Sequence, residues 1–91
     1  MNKNELVEAV ANRENFDTKD CSQIVEGVLE IIALQMIVGE VVNIRGFGKF
    51  TPSLSPATRR RNPQTGGTVD VPEKTVVRFA ASKTLKERVN A

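Results

Sequence analysis

Roughly residues 52–74 of this 91-residue chain can contribute nothing to a hydrophobic core, and that loss constrains everything else the chain can build. At the centre of the segment stands Arg59-Arg60-Arg61-Asn62-Pro63-Gln64-Thr65-Gly66-Gly67. Three guanidinium groups run into a proline-led turn, and the stretch holds no apolar cluster to bury them. About 70 residues remain to form a core, a size at which one chain is marginal and association is a common remedy. One domain over residues 1–91 is the limit.

The flanks of the arginine run read as the two strands of a ribbon. Pro52 and Pro56 each lack a ladder donor, which suits an edge or an isolated ribbon and not a central strand. Thr68-Val69-Asp70-Val71 alternate as the returning strand, up to Pro72. Pro63 takes the second place of the turn, where its fixed φ fits, and Gly66 and Gly67 are expected to supply positive φ where the strand resumes. About ten residues per strand at ~3.3 Å each gives a reach of roughly 30 Å. A free two-stranded ribbon is marginal in water, so this one is expected to move until something binds it. Cations and one rigid apolar ring at its end would suit a groove of DNA.

Ahead of the ribbon the periodicity is helical. Asn2 with Glu5 three residues on is an N-terminal capping signature, and Leu6, Val7, Ala9 and Val10 follow at helical spacing, predicting a helix over residues 3–12. Asp17 caps a second helix over residues 17–38, with Phe16 and Cys21 at the spacing of a hydrophobic staple and Gly39 as the stop. This helix carries two apolar stripes. Ile24, Val28 and Ile31 form one; Val25, Leu29, Ile32 and Met36 form the other. A helix apolar over so much of its circumference is buried on several sides. A second subunit is the expected cover, and a monomer with the sheet wrapped round this helix is the alternative.

After Gly39 the period becomes two. Val42 and Ile44 alternate with Asn43 and Arg45, Gly46-Phe47-Gly48 makes a tight turn, and Lys49-Phe50-Thr51 begins the return. Residues 75–79 read as a third strand. Ser82 caps a last helix to about residue 90, with Leu85 and Val89 expected on the core side. Phe47, Phe50 and Phe79 read as core. The class is α+β in the order ααβββα.

Charge is divided along the chain. Residues 1–40 carry three cations against eight carboxylates, and residues 41–91 carry ten against three. Such a split points to one surface that faces a polyanion and another that faces away. With no His, a single Cys and no close carboxylate pair, little is available for acid–base or nucleophilic chemistry, so no enzyme, metal site or cofactor is expected. No stretch resembles a secretory signal or is long and apolar enough to span a membrane, and a reducing interior suits the lone Cys21.

Three motifs, Gly46-Phe47-Gly48-Lys49-Phe50, Arg61-Asn62-Pro63-Gln64-Thr65-Gly66 and Phe79-Ala80-Ala81-Ser82-Lys83-Thr84-Leu85-Lys86, follow an opening Met-Asn-Lys-Asn-Glu-Leu. Together they resemble the HU/IHF family of bacterial nucleoid proteins, in the same order and without insertion. The resemblance implies an intertwined dimer in the cytoplasmic nucleoid, a homodimer or a heterodimer, with double-stranded DNA as partner and no small-molecule substrate. Residues 1–39 would be the helical dimerisation part, 40–51 and 74–91 the sheet and last helix, and 52–73 the arm. Pro63 would be the intercalating wedge, flanked in the minor groove by Arg61 and Asn62, with Arg59, Arg60, Gln64 and Thr65 completing the tip. Lys74, Arg78, Lys83 and Lys86 would meet DNA below it. Val25, Val28, Leu29, Ile32, Met36, Phe47, Phe50 and Phe79 would form the dimer core. The chain departs from the family pattern in its uncharged Pro52-Ser53-Leu54-Ser55-Pro56 and in Asp70, which together weaken the arm shaft as a phosphate contact.

The implied mechanism is architectural. Phosphate neutralisation supplies affinity, arginines suit the negative minor groove, and the degenerate minor-groove pattern gives low base specificity. A site-selective bender like IHF, and a scaffold module whose arm grips a protein, are the other readings of the same residues.

Overall fold

Side-chain caps decide where the helices begin. In a computed structural model describing residues 1–91, Asn2 Oδ1 accepts the Glu5 amide at 2.9 Å and opens α1, Lys3–Glu14. The helix runs two residues past its expected end. Asn15 then takes the left-handed conformation (φ 56°), and the Phe16 amide donates back to the Ala11 carbonyl at 3.0 Å. Asparagine serves here as the left-handed cap that glycine more often provides. Asp17 Oδ1 accepts the Lys19 amide at 2.8 Å at the start of α2, Thr18–Ile37. Gly39 (φ 84°) ends α2, with the Gly39 amide on the Met36 carbonyl and the Glu40 amide on that of Gln35.

The chain divides into two compact units, residues 1–34 and 35–91. In the first, Val7, Ala11 and Cys21 make a small buried cluster, with Val10 and Val25 packed against it. Lys3 Nζ meets Glu26 Oε1 at 3.0 Å, joining α1 to α2 across the surface. The expected staple is corrected: Cys21 is buried against α1, whereas Phe16 stays 60% exposed and borders an open cleft with Asp20, Gln23 and Ile24.

The second unit contains five strands: β1 (Val42–Ile44), β2 (Gly48–Ser55), β3 (Thr58–Arg61), β4 (Thr68–Val71) and β5 (Lys74–Ala81). They form an antiparallel sheet in the order β1-β2-β5 and a two-stranded ribbon of β3 and β4. The expected three-stranded sheet and the two-stranded ribbon that extends it are both present, and they count as five strands because the pairing stops at Pro56 and Pro72, beside each other. Pro52 lies inside β2, the middle strand, which corrects the expectation that the arm starts there. It causes no conflict because β1 pairs only as far as Phe50, so Pro52 has a single neighbour, Val77 on β5. Main-sheet pairing continues to Ser55 opposite Lys74, and the ribbon proper is limited to residues 58–71.

Alternation along these strands sorts side chains by face. Val42, Ile44, Phe50, Leu54, Val77 and Phe79 fall on one side; Asn43, Lys49, Thr51, Ser53, Lys74 and Arg78 fall on the other. Phe79 lies 4.8 Å from Phe50 and 5.6 Å from Phe47, ring centre to ring centre and tilted. Gly46 turns with φ 80°, and Gly48 is required for a different reason. A Cβ there would lie 2.5 Å from the Phe79 ring and 2.7 Å from the Ala80 carbonyl oxygen. The Phe47 carbonyl accepts the Ser82 amide at 2.9 Å, and Ser82 Oγ accepts the Leu85 amide at 3.1 Å, which starts α3, Lys83–Val89. Val89 is 74% exposed, so of the two side chains expected to face the core only Leu85 is partly covered.

Only Val7, Ala11, Cys21 and Met36 are buried apolar side chains. The accessible surface is 7687 Å², whereas a self-sufficient globule of about 10 kDa exposes roughly 5200 Å². Ile24, Val28 and Ile31 on α2 are more than half exposed, as are Leu54 and Val77 on the sheet. No helix is long and apolar enough to cross a membrane.

The Gly48 contact makes a specific prediction. Gly48→Ala must displace the Phe79 ring or the β5 backbone and should lose roughly 1–3 kcal/mol of stability, measured by urea denaturation. Stability within about 0.5 kcal/mol of the parent would mean that the aromatic cluster is loosely packed.

Candidate nucleic-acid interface

The ribbon keeps the register of the sheet from which it grows. Ser55 faces Lys74 before the break and Thr58 faces Val71 after it, with two residues skipped on each strand. The face that carries Lys49, Arg78 and Lys74 is therefore the face that carries Arg59 and Arg61. Arg60 points to the opposite side, beside Val69. The arginine run, three equivalent cations in the sequence, is divided two and one by the pleat. Lys49, outside the residues expected at the site, joins the cationic face; its alternation with Phe50 is the signal the sequence carries.

Arg59 is committed further. Its cross-strand neighbour is Asp70, and Arg59 Nε donates to Asp70 Oδ1 at 3.0 Å with both side chains more than three-quarters exposed. The pair borders the shallow cleft at the ladder break, among Ala57, Thr58, Val71 and Pro72. Arg60, Arg61, Lys74, Arg78 and Lys86 make no ion pair, and Lys83 only a loose one with Glu87 at 3.9 Å.

The tip is built around Asn62. Its amide donates to the Gly67 carbonyl at 2.7 Å, its carbonyl accepts the Gly66 amide at 2.8 Å, and its Oδ1 accepts the Gln64 amide at 2.9 Å. Thr65 Oγ1 accepts the Gly67 amide at 3.3 Å. Gly66 alone has positive φ (72°), so the expectation for Gly67 is corrected: Gly67 already lies opposite Asn62 as ladder backbone. These bonds hold Pro63 and Gln64 outward at the end of the hairpin, with Pro63 exposed. The side-chain oxygen of Asn62 is used within the turn, which leaves its NH2 as the free donor.

Lys83 and Lys86 lie on α3, positioned through the bond between Ser82 and Phe47. Of the residues expected in a dimer core, Met36 is buried within the chain, Val25, Ile32 and Phe50 are half-buried, and Val28, Leu29, Phe47 and Phe79 are exposed. No polar side chain is buried.

A family profile described as "Bacterial DNA-binding protein" matches residues 1–90. The DNA-binding protein HRm of Rhizobium meliloti is 43% identical over 90 residues, covering 99% of this chain and 100% of that one. Integration host factor subunit beta of Laribacter hongkongensis is 40% identical over 91 residues, covering 99% and 92%. The fold is similar to that of HU in an Anabaena HU–DNA cocrystal, with a TM-score of 0.88 and 35% identity over 98% of this chain and 97% of that one.

The break at Pro56 and Pro72 separates a short ribbon from the sheet, and short ribbons are weakly held. In the free protein, amide order parameters for residues 55–72 should fall below about 0.6, while those of α1 and α2 stay near 0.85. Equal values along the whole chain would contradict this.

Proposed function

The chain belongs to the bacterial DNA-binding protein family that includes HU and integration host factor, and we propose that it bends or wraps duplex DNA by placing two ribbon tips in the minor groove. It binds double-stranded DNA as a dimer and is not an enzyme. Its place of action is the nucleoid. The scaffold reading is not favoured, because family and cationic ribbon point to the same partner.

The observation that carries the proposal is the exposed Pro63, held outward by the Asn62 turn at the end of a face lined with cations. A pyrrolidine ring has no backbone donor to desolvate. Inserted between base pairs, as in minor-groove architectural proteins including IHF and HU, it costs a few kcal/mol of unstacking, offset by the extra surface that bent DNA touches. Arg61, with a free guanidinium group, and Asn62 flank it, and Arg60, Gln64 and Thr65 complete the tip. Lys74, Arg78 and Lys49 line the shaft and sheet, and Lys83 and Lys86 offer phosphate contacts from α3. Because the minor groove offers a degenerate code, preference follows deformability, and kinked or nicked sites bind better than straight ones.

Dimerisation supplies the second arm. The reading assigns residues 1–39 to association and gives Val25, Val28, Leu29, Ile32, Met36, Phe47, Phe50 and Phe79 the task of completing a shared core. The exposure of half of these in one chain supports it.

Two variants separate wedge from charge. Pro63→Ala should reduce the bend angle and the preference for nicked duplex while leaving the salt dependence of binding nearly constant. Arg60→Ala with Arg61→Ala should flatten the slope of log K against log salt by up to ~1.8 per engaged arm, at about 0.9 per phosphate. An unchanged bend in the first would make the tip a mere turn. An unchanged slope in the second would leave the arginines in water.

A further inference from the structure

We propose that Asp70 acts as a built-in counter-ion that withholds Arg59 from DNA, so that phosphate capture on the arm shaft requires the Arg59–Asp70 pair to open. This rests on the DNA-binding function proposed above. Three observations carry it. The two residues are direct cross-strand partners, and their contact is a 3.0 Å Nε–Oδ1 hydrogen bond. They lie on the face shared with Arg61, Lys74, Arg78 and Lys49, where Asp70 is the only carboxylate. Their exposures, 77% and 79%, leave the pair open to solvent.

Exposure decides what such a pair can do. A buried ion pair would lock the ribbon permanently, whereas an exposed one is screened and weak, and a competing anion can replace it. DNA presents about one negative charge per 1.7 Å of helix axis and is a strong competitor. Winning Arg59 is nevertheless different from winning Arg60 or Arg61. A phosphate that takes Arg59 leaves the Asp70 carboxylate uncompensated beside a polyanion. The site therefore yields little of the counter-ion release that a free arginine gives. Asp70 is a positioning residue acting through Arg59: it directs binding to the tip and makes the shaft contact conditional.

The test is a salt series of duplex binding by the full-length dimer, read by fluorescence anisotropy with one labelled duplex. Asp70→Asn keeps the shape and removes the charge. It should steepen the slope of log K against log salt by about 0.9 for each engaged arm and tighten binding at low salt. Asp70→Glu keeps a carboxylate within reach and should retain the parent slope. In an Arg59→Ala background, Asp70→Asn should add no steepening. Glu73, across the break from Pro56 and in no ion pair, is the control for net charge, and Glu73→Gln should leave the slope unchanged. Equal steepening with and without Arg59, or from Glu73→Gln, would overturn the proposal, because net charge alone would then be at work. Binding that Asp70→Asn leaves unaltered would overturn it too. Absence of salt-dependent duplex binding by the parent protein is a different result, and would remove the DNA-binding reading as well.

Discussion

Apolar surface that one chain cannot cover is the constraint on which the rest of this structure depends. A chain of this length can bury only a modest share of its surface, and this one gives residues 58–71 to a polar ribbon. The first unit buries little more than Val7, Ala11 and Cys21 and leaves the α2 stripe of Ile24, Val28 and Ile31 in solvent. The second leaves Leu54, Val77 and Phe79 on the uncovered side of its sheet. On the reading proposed above, dimerisation would answer both, and it would also double the arm. A single ribbon could touch DNA, but two on one body can hold a bend.

The sheet links that core problem to function. Because β2 and β5 continue in register into β3 and β4, the division into an apolar and a cationic face persists from Phe50 and Lys49 at one end to Val69 and Arg61 near the other, with Arg60 the one cation on the apolar side. On the function proposed above, the side that meets a partner subunit and the side that meets phosphate would be opposite faces of one ladder. Pro56 and Pro72 break the hydrogen bonding without shifting that register, so the arm is paired separately from the sheet while its charges stay aligned.

Much of this was legible in the sequence. Asn2, Asp17, Gly39 and Ser82 mark helix ends because capping is local, and Val42-Asn43-Ile44 marks a strand because alternation is local. The tip was legible because a proline and two glycines leave few alternatives. Pairing was harder to read. Three arginines in a row look equivalent until a loop closing between Asn62 and Gly67 sets Arg59 against Asp70 and sends Arg60 to the other face. Val89 looked like core because its helical spacing was right, but nothing in this chain covers it and it is largely exposed. Gly67 looked like a positive-φ residue because of its type, whereas Gly66 alone makes the turn.

The central claim, that folding is completed by a second copy, is tested most directly by thermal unfolding as a function of protein concentration. When a dimer unfolds to separate chains, each tenfold rise in concentration adds about 1.4 kcal/mol, which raises the Tm by roughly 3–5 °C for a pair of this size. The account predicts that rise across the micromolar range, with a single cooperative transition. A Tm that does not move with concentration would show that one chain carries a sufficient core alone, and would contradict it.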